Sequence, residues 1–550
     1  MPLTPPANLQ PELIALFSRM QKLVFVFILF VYFHSSAQNL QNTYWQQYLR
    51  YNIKAQLNEK EKSITGSETI VYKNNSPQPL SYIWFHIYPN AYKDPSTALF
   101  QQIKSDPQRK EKLKQPTTGY ISNLAFTVNG AKATIEPHPN AQYIDVIKVV
   151  LPKPLQPGDS ATIATPFKVQ LPSYFSRSGF ADGEFMVCQW YPKPAVFDKD
   201  GWHEMPYLDM GEFYSEYASY NVNITVPSQY IVSATGVLQT PSEAALYKTI
   251  GAFNAANKAG KEPKMYSPTF SAATKTLNYY ADSVPDFAWF ADKAFIIEYD
   301  TMKLASGKVI DAFTFYHNKS NTQWVNSIDY VKDAVARYSQ WIGEYAYPTV
   351  QAVEGPKNNS SGGMEYPMVT LITSPDAKPQ TLDAVIAHEV GHNWFMSMLG
   401  SNERTHPWMD EGMNTYYQFR YEAAKYRSNA IFGDRIPPAI KKLDEPTFQA
   451  SVYQAMMSIP IQPALETPSA NYSSSEDYGL TAYVKAAEWM HLLELSVGRE
   501  KVDSAFQHYF SLWKFKHPRP ADMKAAFEQA TGASLDDFFT LLNKEGKLVE

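Results

Sequence analysis

The sequence predicts a multidomain α+β protein, an all-β N-terminal part followed by an α+β part. Three observations predict it. The chain has 550 residues, 44% of them hydrophobic and 14% aromatic, more than one compact core usually holds. Apolar residues recur with period two through the first half, the mark of half-buried strands. After about residue 300 the spacing changes to three and four, the mark of amphipathic helices.

Composition excludes several classes of partner. With 49 Lys+Arg against 54 Asp+Glu the formal net charge is -5, so no long-range field draws phosphate backbones and nucleic acid is not expected as a partner. Charged residues make up only 19%, beside 37 Tyr, 31 Phe and 11 Trp, which excludes a disordered chain. Cys188 is the single cysteine, so no intramolecular disulfide forms, and stability must come from core area, with a bound metal as the other available source.

At the N-terminus, Lys22 precedes an apolar run over residues 23–33, and Ser35 and Ala37 place small residues before Gln38. This pattern predicts a secretory signal over residues 1–37, cut after Ala37. Met20 would begin a conventional signal and is the alternative start. Eleven apolar residues are too few to cross about 30 Å of hydrocarbon, so no stable membrane span is expected after cleavage. The mature protein is expected in the periplasm, at the cell surface or outside the cell.

Residues 44–300 read as strands and turns. Tyr220, Val222, Ile224 and Val226 alternate with Asn221, Asn223 and Thr225, and residues 64–72 alternate more loosely. Turn clusters such as Asn74-Asn75-Ser76-Pro77 and Pro157-Gly158-Asp159 separate the runs. Residues 241–268, rich in Ala, Lys, Asn and Gly without clear periodicity, read as a solvated insertion. Residues 301–550 form the α+β part. Trp324, Ile328, Val331, Val335, Tyr338 and Ile342 mark an amphipathic helix that Pro348 closes off. A strand follows over residues 368–372, then helices near 381–399, 409–427, 481–496 and 500–513.

Within this second part, His388-Glu389-Val390-Gly391-His392 fits HExxH in a helical setting given by Leu382, Val385, Ile386, Trp394 and Phe395. Histidines at i and i+4 share one helix face, so both rings can reach one tetrahedral ion. Zinc lowers the pKa of bound water to about 7, and a carboxylate at Glu389 can take the proton as water attacks a carbonyl. A third ligand is needed, and Glu411 in Trp408-Met409-Asp410-Glu411-Gly412 supplies it, eighteen residues separating it from His392. Three ligands with an open fourth position predict one catalytic Zn2+ per chain. Asp410 and Asn414 fit either support of the ligands or ordinary helix capping. His203, His406 and His517 are isolated and read as structural, and Cys188 as a small buried side chain.

The HExxH motif and its distant glutamate resemble the aminopeptidase N family of gluzincin metallopeptidases. Gly362-Gly363-Met364-Glu365-Tyr366 resembles the family's GxMEN motif and Tyr483-Val484-Lys485-Ala486 its YxKG motif. The resemblance implies a saddle-like β sandwich followed by a thermolysin-like catalytic domain. It also implies an exported zinc aminopeptidase acting on peptides with a free N-terminus. In that reading Glu389 is the general base, Tyr483 stabilises the oxyanion, and Glu365, with Gly362 and Gly363, binds the substrate's α-amine end. Gln189, in Cys188-Gln189-Trp190-Tyr191-Pro192, resembles a second contact to that amine, and satisfying buried polar groups explains it equally well. Tyr366 stands where the pattern has Asn, in a place to reshape the first substrate pocket, and Ala486 stands where it has Gly. The chain ends soon after Lys485, so no full C-terminal helical domain is expected. Three competing functions remain. An endopeptidase sharing the zinc helix is disfavoured by Glu365. A noncatalytic binding or scaffold protein would be expected to lose a ligand or Glu389, and none is lost. Epoxide hydrolysis, known in one branch of the family, is a reading on which the sequence is silent.

Overall fold

Alternation decides the first half. In the strand Tyr48–Asn58, Leu49, Tyr51, Ile53, Ala55 and Leu57 are buried and the residues between them are exposed, because successive side chains leave a strand on opposite faces. This strand runs parallel to Ala218–Pro227 and antiparallel to Ser63–Lys73. Ser160–Gln170 and Thr274–Val284 extend the pairing on either side into a nine-stranded sheet. Tyr220, Val222, Ile224 and Val226 face inward as their spacing predicts. Ile83, Val149, Phe185 and Trp289, from two four-stranded sheets, share the core. The computed structural model describes residues 44–109, 113, 118–258, 263–267, 272–319, 322–358 and 362–549, and the signal expected over residues 1–37 lies outside them. Residues 45–550 form one unit. Among the described residues no helix is long and apolar enough to cross a membrane.

The second half is built on a five-stranded sheet in the order Phe295–Lys303, Val309–His317, Thr349–Glu354, Val369–Ile372, Gly363–Met364. The middle three strands are parallel, and Gly363–Met364 lies antiparallel at the edge. The sheet begins at Phe295, so a boundary at residue 300 falls inside its first strand. An alternating strand carries the same pattern whichever sheet it joins, which is why the sequence did not mark the change. The helix over the sheet is Ser327–Trp341, preceded by a 3-10 turn, and the six apolar residues that predict it are all buried. Residues 241–256, read from sequence as solvated, are instead the helix Pro241–Ala256 packed along Phe295–Lys303. Its contact face is Tyr247, Ile250, Gly251 and Asn254, and a Cβ on Gly251 would stand 2.5 Å from that of Tyr299. Small and polar residues at a close helix–strand contact erase the apolar period, and the helix was missed for that reason.

Three further helices carry the site. Pro379–Gly391 begins with Pro379 in its first turn and stops at Gly391, short of the expected 399, so Trp394 and Phe395 are buried in the turns beyond it. Glu411–Tyr426 matches its expected span and is closed by Arg427 at φ 52. The span expected as one helix from 481 is a π-helical turn, Gly479–Lys485, running into Ala486–Val497. Such bulges concentrate at functional sites, and this one carries Tyr483. Glu411–Tyr426 lies so close to this segment that a Cβ on Gly412 would stand 2.2 Å from Ala486 Cβ and 2.9 Å from the Ala482 carbonyl oxygen. Ala486 is tolerated in place of glycine because Gly412, opposite it, has no side chain.

Gly412→Ala should therefore lower stability by about 1–3 kcal/mol. It should also weaken metal binding, since it drives apart the surfaces carrying Glu411 and Tyr483. Denaturant unfolding and metal titration measure both, and wild-type values in both would refute this helix contact.

Candidate active site

His388 and His392 stand on the last turn of Pro379–Gly391 and just past its end, and Glu411 opens the next helix. Their ligand atoms converge. His388 Nε2 lies 3.1 Å from His392 Nε2, and Glu411 Oε2 lies 3.4 and 3.3 Å from the two nitrogens. Bonds of about 2.0–2.1 Å to a tetrahedral zinc set edges of roughly 3.3 Å. The opposite ring nitrogens are already used: His388 Nδ1 is 2.8 Å from Gln418 Oε1 and His392 Nδ1 is 2.7 Å from Asp410 Oδ1. Both partners are acceptors, so each Nδ1 donates and each Nε2 turns a lone pair to the common point. Glu411 Oε2 is buried with no hydrogen-bond partner. Two lone pairs and an orphaned carboxylate oxygen at these separations fit a zinc ion. Although burial opposes it, His392 and His388 hold the Glu411 carboxyl well below the usual carboxylate range.

The surroundings fix this geometry. Asp410 supports a ligand and makes no side-chain cap bond to its helix. Asn414 Nδ2 donates to the His388 carbonyl at 2.7 Å, while its Oδ1 accepts from Tyr338 at 3.0 Å. A Cβ on Gly391 would stand 2.1 Å from Asn414 Oδ1, so this tie requires glycine inside HExxH.

The three ligands line a cleft of about 390 Å³ together with Gly362, Gly363, Glu365, Glu389 and Tyr483. Burial pushes the Glu389 carboxyl up to about 7. A Cβ on Gly363 would stand 2.5 Å from Glu389 Cδ, so the edge strand can lie against Glu389 only as glycine. Glu365 follows that strand, is buried, and has one oxygen without a hydrogen-bond partner. Burial, then the charge of Glu212, raises its carboxyl well above the usual range. The Tyr483 hydroxyl donates to Glu411 Oε1, which puts it beside the ligand set.

Several cleft residues were not found in the sequence. Gln418 stands one turn beyond Asn414 on the helix that carries Glu411, and that face was the only available signal. Arg177 and Glu212 reach the cleft from the first half, paired through Arg177 Nε at 2.8 Å. Glu403 accepts from the Glu212 amide at 3.1 Å and from the Tyr478 hydroxyl at 2.8 Å. It thereby ties that loop to the segment leading into Tyr483. No local pattern links residues so far apart in the chain.

Gln189 is corrected. Its Nε2 donates to Asp286 and its Oε1 accepts from Lys193 Nζ at 2.8 Å, and it is not among the residues that line the cleft. A buried polar network engages both ends of its amide away from the cleft. Tyr366 does not line the cleft either. It is buried in a cluster with Cys188 and Phe290, which removes its expected influence on the first pocket. Lys485 Nζ donates to the carbonyls of Pro463 and Lys544, a structural use. His406 pairs with Glu466, His203 with Asp198, and His517 with the Gly400 carbonyl.

Residues 327–541 match the peptidase family M1 domain. A leucine aminopeptidase 2 from Chaetomium globosum is 28% identical over 214 residues, 38% of this chain and 33% of that protein. A glutamyl aminopeptidase from Bos taurus is 26% identical over 202 residues, 34% of this chain and 20% of that one. The chain thus spans a third or less of the length of these relatives. In fold, it resembles an M1 zinc metallopeptidase from Deinococcus radiodurans with a TM-score of 0.58 at 15% identity, over 90% of this chain and 92% of that one. Legionella pneumophila aminopeptidase A gives 0.61 at 13% identity, over 91% and 50%. The ligand set and the order of the motifs lie within or beside the matched region, and residues 327–541 carry a peptidase family M1 domain, similar to the aminopeptidase N family of gluzincins.

Proposed function

We propose that this protein is an exported, zinc-dependent aminopeptidase that removes N-terminal residues from peptides. The observation that carries the reading is Glu365, a buried carboxylate with an unpartnered oxygen in the same cleft as a complete gluzincin ligand set. His388, His392 and Glu411 would hold one zinc ion per chain. Bound there, zinc polarises the scissile carbonyl and acidifies the attacking water.

The chain's own residues do the rest. An arriving α-ammonium gives the Glu365 carboxylate the partner it lacks and sets the first peptide bond one residue inward. That pairing works against the burial that raises the Glu365 carboxyl, so binding draws Glu365 into its charged form. Glu389 takes the proton from the attacking water and returns it to the departing amine nitrogen. Tyr483 turns its hydroxyl from Glu411 toward the oxygen that gains negative charge. Arg177 holds Glu212 against the cleft wall, and Glu403 fixes the loop that carries it.

Chelation should abolish turnover. Glu389→Gln should keep zinc and lose at least about a hundredfold in kcat, in line with a lost general base. Glu411→Gln should instead weaken metal retention. Tyr483→Phe should lower kcat more than it raises KM, because the hydroxyl acts on developing charge. Metal analysis with steady-state kinetics separates these outcomes, and exchanged phenotypes for Glu389 and Glu411 would refute the assignment.

Acetylation of the substrate's α-amine should abolish cleavage, since it sets an uncharged amide against Glu365. Glu365→Ala should cut kcat/KM severely for free amines, spare zinc content, and narrow the gap between free and blocked substrates. A panel of free and N-acetylated amino-acid amides and peptides reads this. Cleavage of blocked peptides at internal bonds as fast as free ones at their ends would make the protein an endopeptidase.

Export has its own test. N-terminal sequencing of secreted protein should begin at Gln38, and a retained segment in a membrane fraction would show an anchor instead.

A further inference from the structure

A second cluster of metal-ligating groups lies outside the cleft, where the β half meets the catalytic sheet. Glu184 follows the two-residue turn Asp182-Gly183 of a hairpin, both residues at positive φ (51 and 97) as a type I′ turn requires. Asp292 ends the neighbouring strand Trp289–Asp292. His317 ends Val309–His317 in the catalytic sheet. Glu354 ends Thr349–Glu354 beside it, and Lys319 Nζ binds Glu354 Oε1 at 2.9 Å. One ligand atom each from Glu184, Asp292 and His317 lies within 4.8 Å of the other two.

Two features distinguish this cluster from a solvated acidic surface. Glu184 is only 2% exposed, and one of its oxygens has no hydrogen-bond partner. The imidazole is oriented as a ligand: His317 Nε2 faces Asp292 Oδ2 at 3.7 Å while Nδ1 faces Glu354 Oε2 at 3.6 Å. In the catalytic centre His392 likewise turns Nδ1 to the Asp410 carboxylate and Nε2 to the metal point, the carboxylate–histidine–metal arrangement. Charge leads to the same place. Lys319 offsets Glu354, which leaves Glu184 and Asp292 facing a single imidazole in a buried site. One divalent ion bound to a neutral His317 would balance both carboxylates.

The geometry points to a second metal site, formed by Glu184, Asp292 and His317, that takes a divalent transition ion of the zinc or manganese class and clips the β half to the catalytic sheet. One imidazole with two carboxylates suits such ions, whereas calcium takes oxygen ligands only. His317 is 20% exposed on its side chain, which gives the ion a route in from solvent. The role is structural, since the cluster shares no residue with the cleft lining.

The test uses the full mature chain, loaded with Zn2+ or Mn2+ and freed of excess by dialysis. Wild type should retain two equivalents by elemental analysis. The His388→Ala/His392→Ala variant should retain one, and adding Glu184→Gln and His317→Gln should leave none. Thermal unfolding of the His388→Ala/His392→Ala variant should shift upward with Mn2+, and the shift should vanish when Glu184→Gln is added. Should those variants fail to fold, anomalous scattering from wild-type crystals grown with Mn2+ decides. A peak between Glu184, Asp292 and His317 supports the site. One equivalent in wild type, none in the histidine variant, or no anomalous peak would overturn it and leave His317 as a protonated partner of the carboxylates.

Discussion

The histidine helix and the glutamate helix are arranged around one constraint. Two imidazole nitrogens and a carboxylate oxygen must be held within 3.4 Å of one another, which costs three side chains their conformational freedom. The protein meets this cost from behind the ligands. Gln418 and Asp410 hold the far ring nitrogens, and Asn414 ties the histidine helix to the glutamate helix through the His388 carbonyl. These ties need helices closer than side chains usually permit, and for that reason Gly391 and Gly412 sit at the contacts. The buried aromatic shell of Tyr338, Trp394 and Tyr417 packs around the same junction and limits how far the helices can relax.

The sequence disclosed the parts of this design that are local. HExxH is a spacing within one helix, and Glu411 opens the next, so both could be read from pattern and helix periodicity. The period-two burial of Tyr220 to Val226 and the six buried positions from Trp324 to Ile342 were legible for the same reason. Long-range relations were not legible. Arg177 and Glu212 reach the cleft, and Glu403 braces Glu212, from segments that share no periodicity. The Pro241–Ala256 helix was hidden because its contact face uses Gly251 and Asn254, small and polar residues that a hydrophobic pattern does not count. Gln189 was misplaced because a glutamine between aromatics looks the same whether its amide faces a cleft or a buried Asp286 and Lys193.

Ala486 and Tyr366, the two departures from the family pattern, have separate physical explanations. Ala486 is accommodated by the missing side chain of Gly412 across the helix contact. Tyr366 turns into the apolar cluster with Cys188 and Phe290, so the position one residue after Glu365 lies behind the cleft wall. A departure at such a position changes what packs behind the wall and leaves the lining unaltered.

Glu212, Glu365, Glu389 and Glu411 line one small buried volume, an arrangement that self-repulsion and desolvation oppose unless each carboxylate finds a counter-charge. Arg177 supplies one for Glu212. A dication at the ligand set would balance Glu411 and, beside it, Glu389. Glu365 is then the one carboxylate of the four still without a counter-charge of its own, and burial, then the charge of Glu212, raises its carboxyl. A group that brings a single positive charge at one end completes the balance, and a free peptide N-terminus carries that charge one residue from a scissile bond. In this reading substrate choice follows from electrostatic accounting inside the cleft more than from the shape of any side-chain pocket.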